Sequence, residues 1–393
     1  MNQPGPVTAV DPDRVRTLRW SANDVDLPEV VSQVRRLHTE LAGRDADWDE
    51  HPHPRNCALN LVVTLGDHHR AIACDKLVAG LGPSHPLRAI LLHLGGGKGP
   101  GVLDAEVTSE AHQLVRGFPV QREQVLLHVR GEAAEHLSSL VEPLLVPDVM
   151  TYLWWSGREP LGGMGLQEAI RFSDVLVVDS THFERAAERL LEIADLMERH
   201  ESPIGVTDFR WTRLRPWIDC IAQFFAPPER RALLAGVQEI DVEVAGSGPD
   251  SRIAGALLAG WMAAGLRWRF AGVRADGGDR TVGVARSEAG HEVRLTLRSA
   301  PDSRREAGDV LSVRVAASAG SRTASLSIER EPGGRHARVT IQLDGSQLLH
   351  QRLPFPRQGD PDLLVQALWS GRRDPLFERA LVTSVPVLEA LAA

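Results

Sequence analysis

Thr207–Phe225, TDFRWTRLRPWIDCIAQFF, is the stretch on which the division of the chain turns. It packs two tryptophans, three arginines, two aspartates and a proline into nineteen residues, leaving an apolar strand and entering an apolar helix. Trp211, Leu214, Ile218, Ile221, Ala222 and Phe225 recur at helical spacing and predict a buried face. Arg213 and Trp217 lie four residues apart on another face, within reach of a cation–π contact. Pro216 is expected in the first helical turn, where a missing N–H costs nothing. Asp208, at the strand end, is placed to pair with Arg213 or Arg215. As structure, the stretch reads as a domain-joining elbow; as function, it reads as an exposed Arg/Trp patch of the kind that dominates binding hot spots.

Upstream of this stretch the pattern alternates. Ala58–Leu65, Leu87–Leu94, Val102–Thr108, Gln124–Val129, Val149–Trp155, Asp174–Val178 and Ile204–Phe209 predict strands, most of them apolar throughout. Cys74–Leu81, Glu132–Leu145, Leu166–Phe172 and His182–Arg199 predict helices between them. Such alternation specifies a doubly wound, mostly parallel sheet with helices on both faces. Ligands of such sheets bind at the C-terminal strand ends, here the loops after Leu94, Trp155, Val178 and Phe209. Ahead of the sheet, residues 1–25 predict a loose arm and Leu27–Leu41 an amphipathic helix.

Downstream the texture changes. A strand at Ile240–Val244 and an Ala-rich helix at Ile253–Ala264 precede six strands between Trp268 and Leu343. Most of these alternate apolar with polar residues, as in Val293, Leu295 and Leu297, which predicts an antiparallel meander with one wet face. Two helices, Asp362–Trp369 and Pro375–Ala392, close an α+β domain. The expected organisation is therefore an arm and leading helix at 1–54, a Rossmann-like α/β domain at 55–226 and an α+β domain at 227–393.

Composition narrows the function classes. A chain of 393 residues with 43% apolar content can bury two cores. A net charge of −8, with arginines and acids interspersed, argues against a nucleic-acid partner, which needs a basic face. Three cysteines, Cys57, Cys74 and Cys220, form no disulfide framework and suit a reducing cytoplasm. No apolar run reaches the roughly 18 residues of a membrane span, and the N-terminus lacks a signal-peptide core.

The stretches that resemble catalytic or cofactor motifs fail on inspection. GGGKGPG at 95–101 follows a strand, but Gly99 stands where a phosphate loop needs Ser or Thr, and Leu92 where it needs Gly. Gly80 and Gly82 fit a dinucleotide fingerprint, but His85 replaces its third glycine. In LGGMG at 161–165, the amides of Gly162, Gly163 and Gly165 are placed to cradle an anion at a helix N-terminus; a plain turn is the simpler reading. His51, His53, His68 and His69 have no zinc spacing and read as loop histidines. Ser180 and Thr181 lack a Gly-x-Ser-x-Gly elbow. Trp154 and Trp155 end a strand with rings on opposite faces, one for the core and one for a ligand edge. No nucleophile–base pair, metal set or cofactor is expected.

TDFRWTRLRPWIDCIAQFF resembles the "DLxWTRLxPWRxLxAQLF" signature of the glucose-6-phosphate dehydrogenase assembly proteins, the OpcA family of actinobacteria and cyanobacteria. RNCALNLVV at 55–63, HPLRAILL at 85–92, LLVPDVMTYLWWSG at 144–157, SDVLVVDS at 173–180 and GRRDPLFERAL at 371–381 are similar to further family segments, in the same order. The resemblance implies a non-enzymatic cytoplasmic protein that binds the glucose-6-phosphate dehydrogenase oligomer and promotes its active form. By position it makes Trp154, Trp155, Asp208, Trp211, Arg213, Pro216 and Trp217 the signature residues, as partner contacts or as framework. Thiol redox control is associated with C-terminal cysteines in cyanobacterial members; here the sequence departs from that pattern, with no cysteine after Cys220. The alternative reading is a sugar-phosphate- or nucleotide-binding enzyme on the doubly wound fold, since that fold hosts many functions.

Overall fold

In the computed structural model, residues 10–45, 57–65, 78, 81, 86–95, 99–114, 120–155, 164–198, 204–302, 304–369 and 371–393 are described. The segments carrying Gly80, Gly82, His85, Lys98, Gly162, Gly163, Cys74 and the four loop histidines lie outside them. The chain forms two compact units, Met1–Val178 with Pro203–Gly205, and Asp179–Ser202 with Val206–Ala393. No helix of the described residues is long and apolar enough to cross a membrane.

One sheet has the strands β1 (Val10–Ala22), β2 (Leu59–Leu65), β3 (Leu87–Gly95), β4 (Val102–Leu114), β5 (Val120–Arg130), β6 (Met150–Trp155), β7 (Val175–Val178) and β8 (Gly205–Asp208), in the order β1-β4-β5-β3-β2-β6-β7-β8, and all but β8 lie wholly in the first unit. The pairs β5/β3, β3/β2, β2/β6 and β6/β7 are parallel. Leaving out β1 and β4, the strands fall in the 3-2-1-4-5-6 order of doubly wound folds. Apart from Leu59 and Met150 at their starts, every residue of β2, β6 and β7 is buried, which is why these strands read as continuous apolar runs. Arg88 and Glu123, opposite each other on β3 and β5, form a buried ion pair. His38, on helix α1 (Leu27–Asp45), joins it at 3.0 Å from Glu123.

Three local expectations are corrected here. The N-terminal arm is not loose along its whole length, because residues 10–22 form β1, antiparallel to β4. Among its residues whose side chains are described, Leu18, Trp20 and Ala22 carry the apolar alternation, half-buried at a sheet edge. The helix expected over Glu132–Leu145 is broken: α2 covers only Leu137–Val141, between 3-10 turns at Gly131–Glu135 and Glu142–Leu144. Pro143 has no N–H to continue it. A last strand, β16, adds to the second sheet where none was expected.

That second sheet has the order β10-β11-β12-β9-β13-β14-β15-β16. Its strands are β9 (Val237–Ala245), β10 (Arg269–Ala275), β11 (Arg280–Arg286), β12 (Glu292–Ala300), β13 (Val310–Ala319), β14 (Arg322–Arg330), β15 (His336–Leu343) and β16 (Ser346–Pro354). All neighbours are antiparallel except β9 and β12. The almost wholly buried α7 (Ile253–Leu266) packs against β9 and against α9 (Pro375–Ala392). A Cβ on Gly260 would stand 2.4 Å from the Ala380 carbonyl oxygen, so only glycine lets those helices approach this closely. The remaining helices are α3 (Met164–Arg171) in the first unit, and α4 (Ala186–Glu198), α5 (Phe209–Phe225), α6 (Pro228–Arg231) and α8 (Asp360–Trp369) in the second.

Candidate functional site

The signature stretch becomes the end of β8 and the whole of α5. The helix begins at once because Asp208 caps it: the Asp208 carboxylate accepts the Arg210 N–H at 2.9 Å. The same carboxylate accepts the Ser180 N–H at 3.0 Å and the Ser180 hydroxyl at 2.6 Å. Arg210 folds back, donating from Nε to Ser180 Oγ (2.9 Å) and from Nη2 to the Ser180 carbonyl (2.8 Å). Asp208 is fully buried and Arg210 nearly so. Burial, reinforced by the nearby Asp179 charge, pushes the Asp208 carboxyl up from its usual range. Burial also lowers the Arg210 guanidinium, though Asp208 and Asp179 oppose it.

One turn on, Arg213 grips Asp179 with both ends, Nη1 to Oδ1 at 2.9 Å and Nη2 to Oδ2 at 3.0 Å, and donates to Thr181 Oγ1 at 2.9 Å. This bidentate geometry is the strong form of an Arg–carboxylate pair. Burial works to raise the Asp179 carboxyl, but the Arg213 guanidinium outweighs it and holds the group below its ordinary 3.8. Its ion pair is thus formed in full above about pH 4 and lost as pH falls through the lower folded value. Urea unfolding at pH 7, 5 and 3 is expected to show wild type losing its advantage over Asp179→Asn toward the acid end. A gap that stays constant with pH contradicts the assignment.

The far side of α5 makes a second set of contacts. Trp211 Nε1 donates to Asp374 Oδ2 at 3.1 Å, and Arg215 Nη2 donates to the same oxygen at 2.6 Å. Asp374 Oδ1 caps α9 through the Leu376 and Phe377 amides. Trp217 meets Phe355 edge-on at 5.2 Å, and the Arg330 guanidinium lies 5.3 Å over its ring.

Several expectations change accordingly. The cation over Trp217 is Arg330, because Arg213 is turned to Asp179. Asp208 pairs with neither Arg213 nor Arg215, whose carboxylate partners are Asp179, with Asp360 at 3.6 Å, and Asp374. Pro216 lies mid-helix rather than in the first turn, since the cap at Asp208 starts α5 earlier. Phe224 is buried and Ala222 exposed. Trp154, Trp155, Trp211 and Trp217 are 7%, 2%, 0% and 1% exposed, while Arg213 and Pro216 are half-buried. Trp155 Nε1 is buried without a hydrogen-bond partner among the described residues. Gly165 lies in α3.

Sequence reasoning passed over Asp179, Arg210, Arg330 and Asp374, the partners that make this arrangement. Only Asp374 carried a local signal, an acidic cap followed by Pro375 at the first helical position.

Chemically the arrangement is a clamp. The Ser180 hydroxyl is buried between Asp208 and Arg210, not presented to a substrate. A cavity beside Arg210, Arg213 and Arg330 measures about 40 Å³, space for little more than water. Residues 179–181 and 208–213, all in the second unit, are bonded to each other. Burial and the Asp219 charge push the Cys220 thiol up to about 11, which disfavours its thiolate at neutral pH.

The fold and clamp define a class, a two-sheet protein with a doubly wound sheet, a mixed β-sheet, and a polar clamp within the second unit. Two family models match it in order: the glucose-6-phosphate dehydrogenase subunit N-terminal domain over residues 80–195 and the corresponding C-terminal domain over 204–381. The chain belongs to the OpcA family of glucose-6-phosphate dehydrogenase assembly proteins. The OxPP cycle protein OpcA of Nostoc punctiforme is 25% identical over 267 residues, 66% of this chain and 56% of that protein. Its Synechocystis counterpart is 29% identical over 147 residues, 37% of this chain and 30% of that protein. The chain thus spans about half or less of the length of these relatives. Among solved structures, glucose-6-phosphate 1-dehydrogenase from Mycobacterium avium aligns at TM-score 0.49 and 12% identity, over 85% of this chain and 92% of that one. A 3-ketoreductase from Actinomadura kijaniata aligns at 0.45 and 13%, over 86% and 97%. At these scores neither neighbour bears on function.

Proposed function

We propose that this protein is a non-catalytic assembly factor and allosteric activator, which binds the glucose-6-phosphate dehydrogenase oligomer and promotes its active form in the oxidative pentose phosphate pathway. The observation that carries this reading is the ordered pair of family matches, both described as domains of a dehydrogenase subunit. The geometry of α5 supports it, because the polar groups of the signature are largely consumed in bonds to Asp179, Ser180, Thr181 and Asp374. Within the signature set, Trp154, Trp155, Asp208, Trp211 and Trp217 act as framework, and Arg213 and Pro216 are the members that reach the surface.

The test is dehydrogenase activity on glucose 6-phosphate, using the same organism's dehydrogenase with and without this protein, and this protein alone. The expected result is a lower apparent KM or a higher rate in the mixture only, with co-elution on a sizing column. Activity from this protein alone, or neither activation nor co-elution in the mixture, overturns the proposal.

A further inference from the structure

The C-terminal ends of β3 and β5 hold a polar cleft that the clamp does not use. Strand register builds it: His128 lies opposite His93 on one side and opposite Asp104 on the other. Residues two apart on a strand face the same way. His93 and Gly95 on β3, His128 and Arg130 on β5, and Asp104 and Glu106 on β4 therefore share one face. They line a cleft of about 450 Å³, closed at its edge by Ser21–Asn23 at the end of β1. That volume falls within the roughly 300–1,000 Å³ of small-molecule sites.

The groups in it are already oriented. His93 Nδ1 and His128 Nδ1 are 3.0 Å apart, a contact that needs one protonated and one bare nitrogen. In this geometry the pair holds at most one positive charge. Arg130 is held by Asp104, Nη2 to Oδ2 at 2.7 Å, and the other Asp104 oxygen accepts the Asp24 N–H at 3.0 Å. Arg130 crosses the end of β3 at Gly95, where a Cβ would stand 3.0 Å from Arg130 Cγ. Asp104 is thereby occupied in positioning, and Glu106 remains as the exposed carboxylate of the lining.

These charges select a ligand class. An apolar ligand would strip water from Arg130, Glu106 and two imidazoles without replacing it. A ligand with anionic groups at both ends would bring one of them against Glu106. A metal ion lacks its ligands, since among the described residues no three His, Cys, Asp or Glu side chains are placed to hold one. A molecule with one anionic end and several hydroxyls matches both halves of the lining. We propose that this cleft binds a small sugar phosphate, its phosphate on the His93–His128 pair and Arg130, its hydroxyls donating to Glu106.

The site stands on its own geometry; only the choice of probe rests on the proposed function. Isothermal titration of the full chain, without dehydrogenase, would use glucose 6-phosphate, ribose 5-phosphate, inorganic phosphate and glucose. Saturable binding of at least one sugar phosphate is expected, with inorganic phosphate and glucose each at least about tenfold weaker. His128→Ala and Glu106→Ala, checked for an unchanged unfolding midpoint without ligand, should each weaken it by about tenfold or more. Lack of binding by both sugar phosphates up to about 10 mM overturns the proposal. So does equal binding of inorganic phosphate, or binding indifferent to both substitutions. Because no dehydrogenase is present, failure here leaves the assembly-factor test untouched.

Discussion

Asp208→Ala is expected to destabilise the second unit by about 3–5 kcal/mol, the range found when one member of a buried charged network is removed. For a unit of this size each kcal/mol moves Tm by about 2–4 °C, so calorimetry should show a fall of roughly 10 °C. Three losses act together. The N-cap of α5 disappears, worth about 1 kcal/mol alone. The Ser180 amide and hydroxyl lose their acceptor while still buried. Arg210 keeps its buried charge without the carboxylate beside it. One effect opposes them: burial already penalises the Asp208 charge, and the substitution removes that penalty. The net effect should therefore fall near the lower end of the range.

Asp208→Asn separates these contributions. Its amide oxygen can still accept the Arg210 and Ser180 N–H groups, so the cap survives. Its amide nitrogen then faces Ser180 Oγ, which must turn its hydrogen away from that position. A loss of about 1–2 kcal/mol is expected, well short of the alanine variant. Equal effects of Asn and Ala would mean that the charge, not the cap and its acceptors, holds the clamp together.

What could be read from sequence, and what could not, follows from the range of each signal. The buried strands and α9 were legible because periodicity is local and strong where a whole strand or helix face is buried. β1 and β16 were not, because edge strands bury little; no residue of β16 is buried. Even so, Asp344–Gly345, with φ of 51° and 78°, is a hairpin turn whose sequence pattern announces a following strand. In the clamp, residue types pointed to Asp208, Trp211, Arg213 and Trp217, but nothing local paired them with their partners. Trp211 and Asp374 are 163 residues apart, and Arg213 and Asp179 are 34 apart. With several arginines and aspartates nearby in sequence, charge alone cannot say which pair forms. The signature's aromatic and basic character suggested a surface for a partner, whereas most of it turned inward.

Trp217→Ala puts that inward turn to the test. Trp217 is 1% exposed, edge-on to Phe355 and beneath Arg330. Replacing a buried tryptophan by alanine typically costs about 3–5 kcal/mol in lost transfer energy and cavity formation. Arg330 adds to the cost, since burial already lowers its guanidinium and the substitution removes one of the two rings it covers. Trp217→Phe keeps a ring in place and is expected to lose about half as much. The decisive comparison is made below the variant's unfolding transition, where dehydrogenase is titrated against folded protein. A framework tryptophan leaves the half-saturating concentration at its wild-type value, whereas Arg213→Ala, acting at the surface, raises it by tenfold or more, about 1.4 kcal/mol. The reverse pattern, affinity lost with Trp217 and kept with Arg213, would require the α5 face to open when the partner binds.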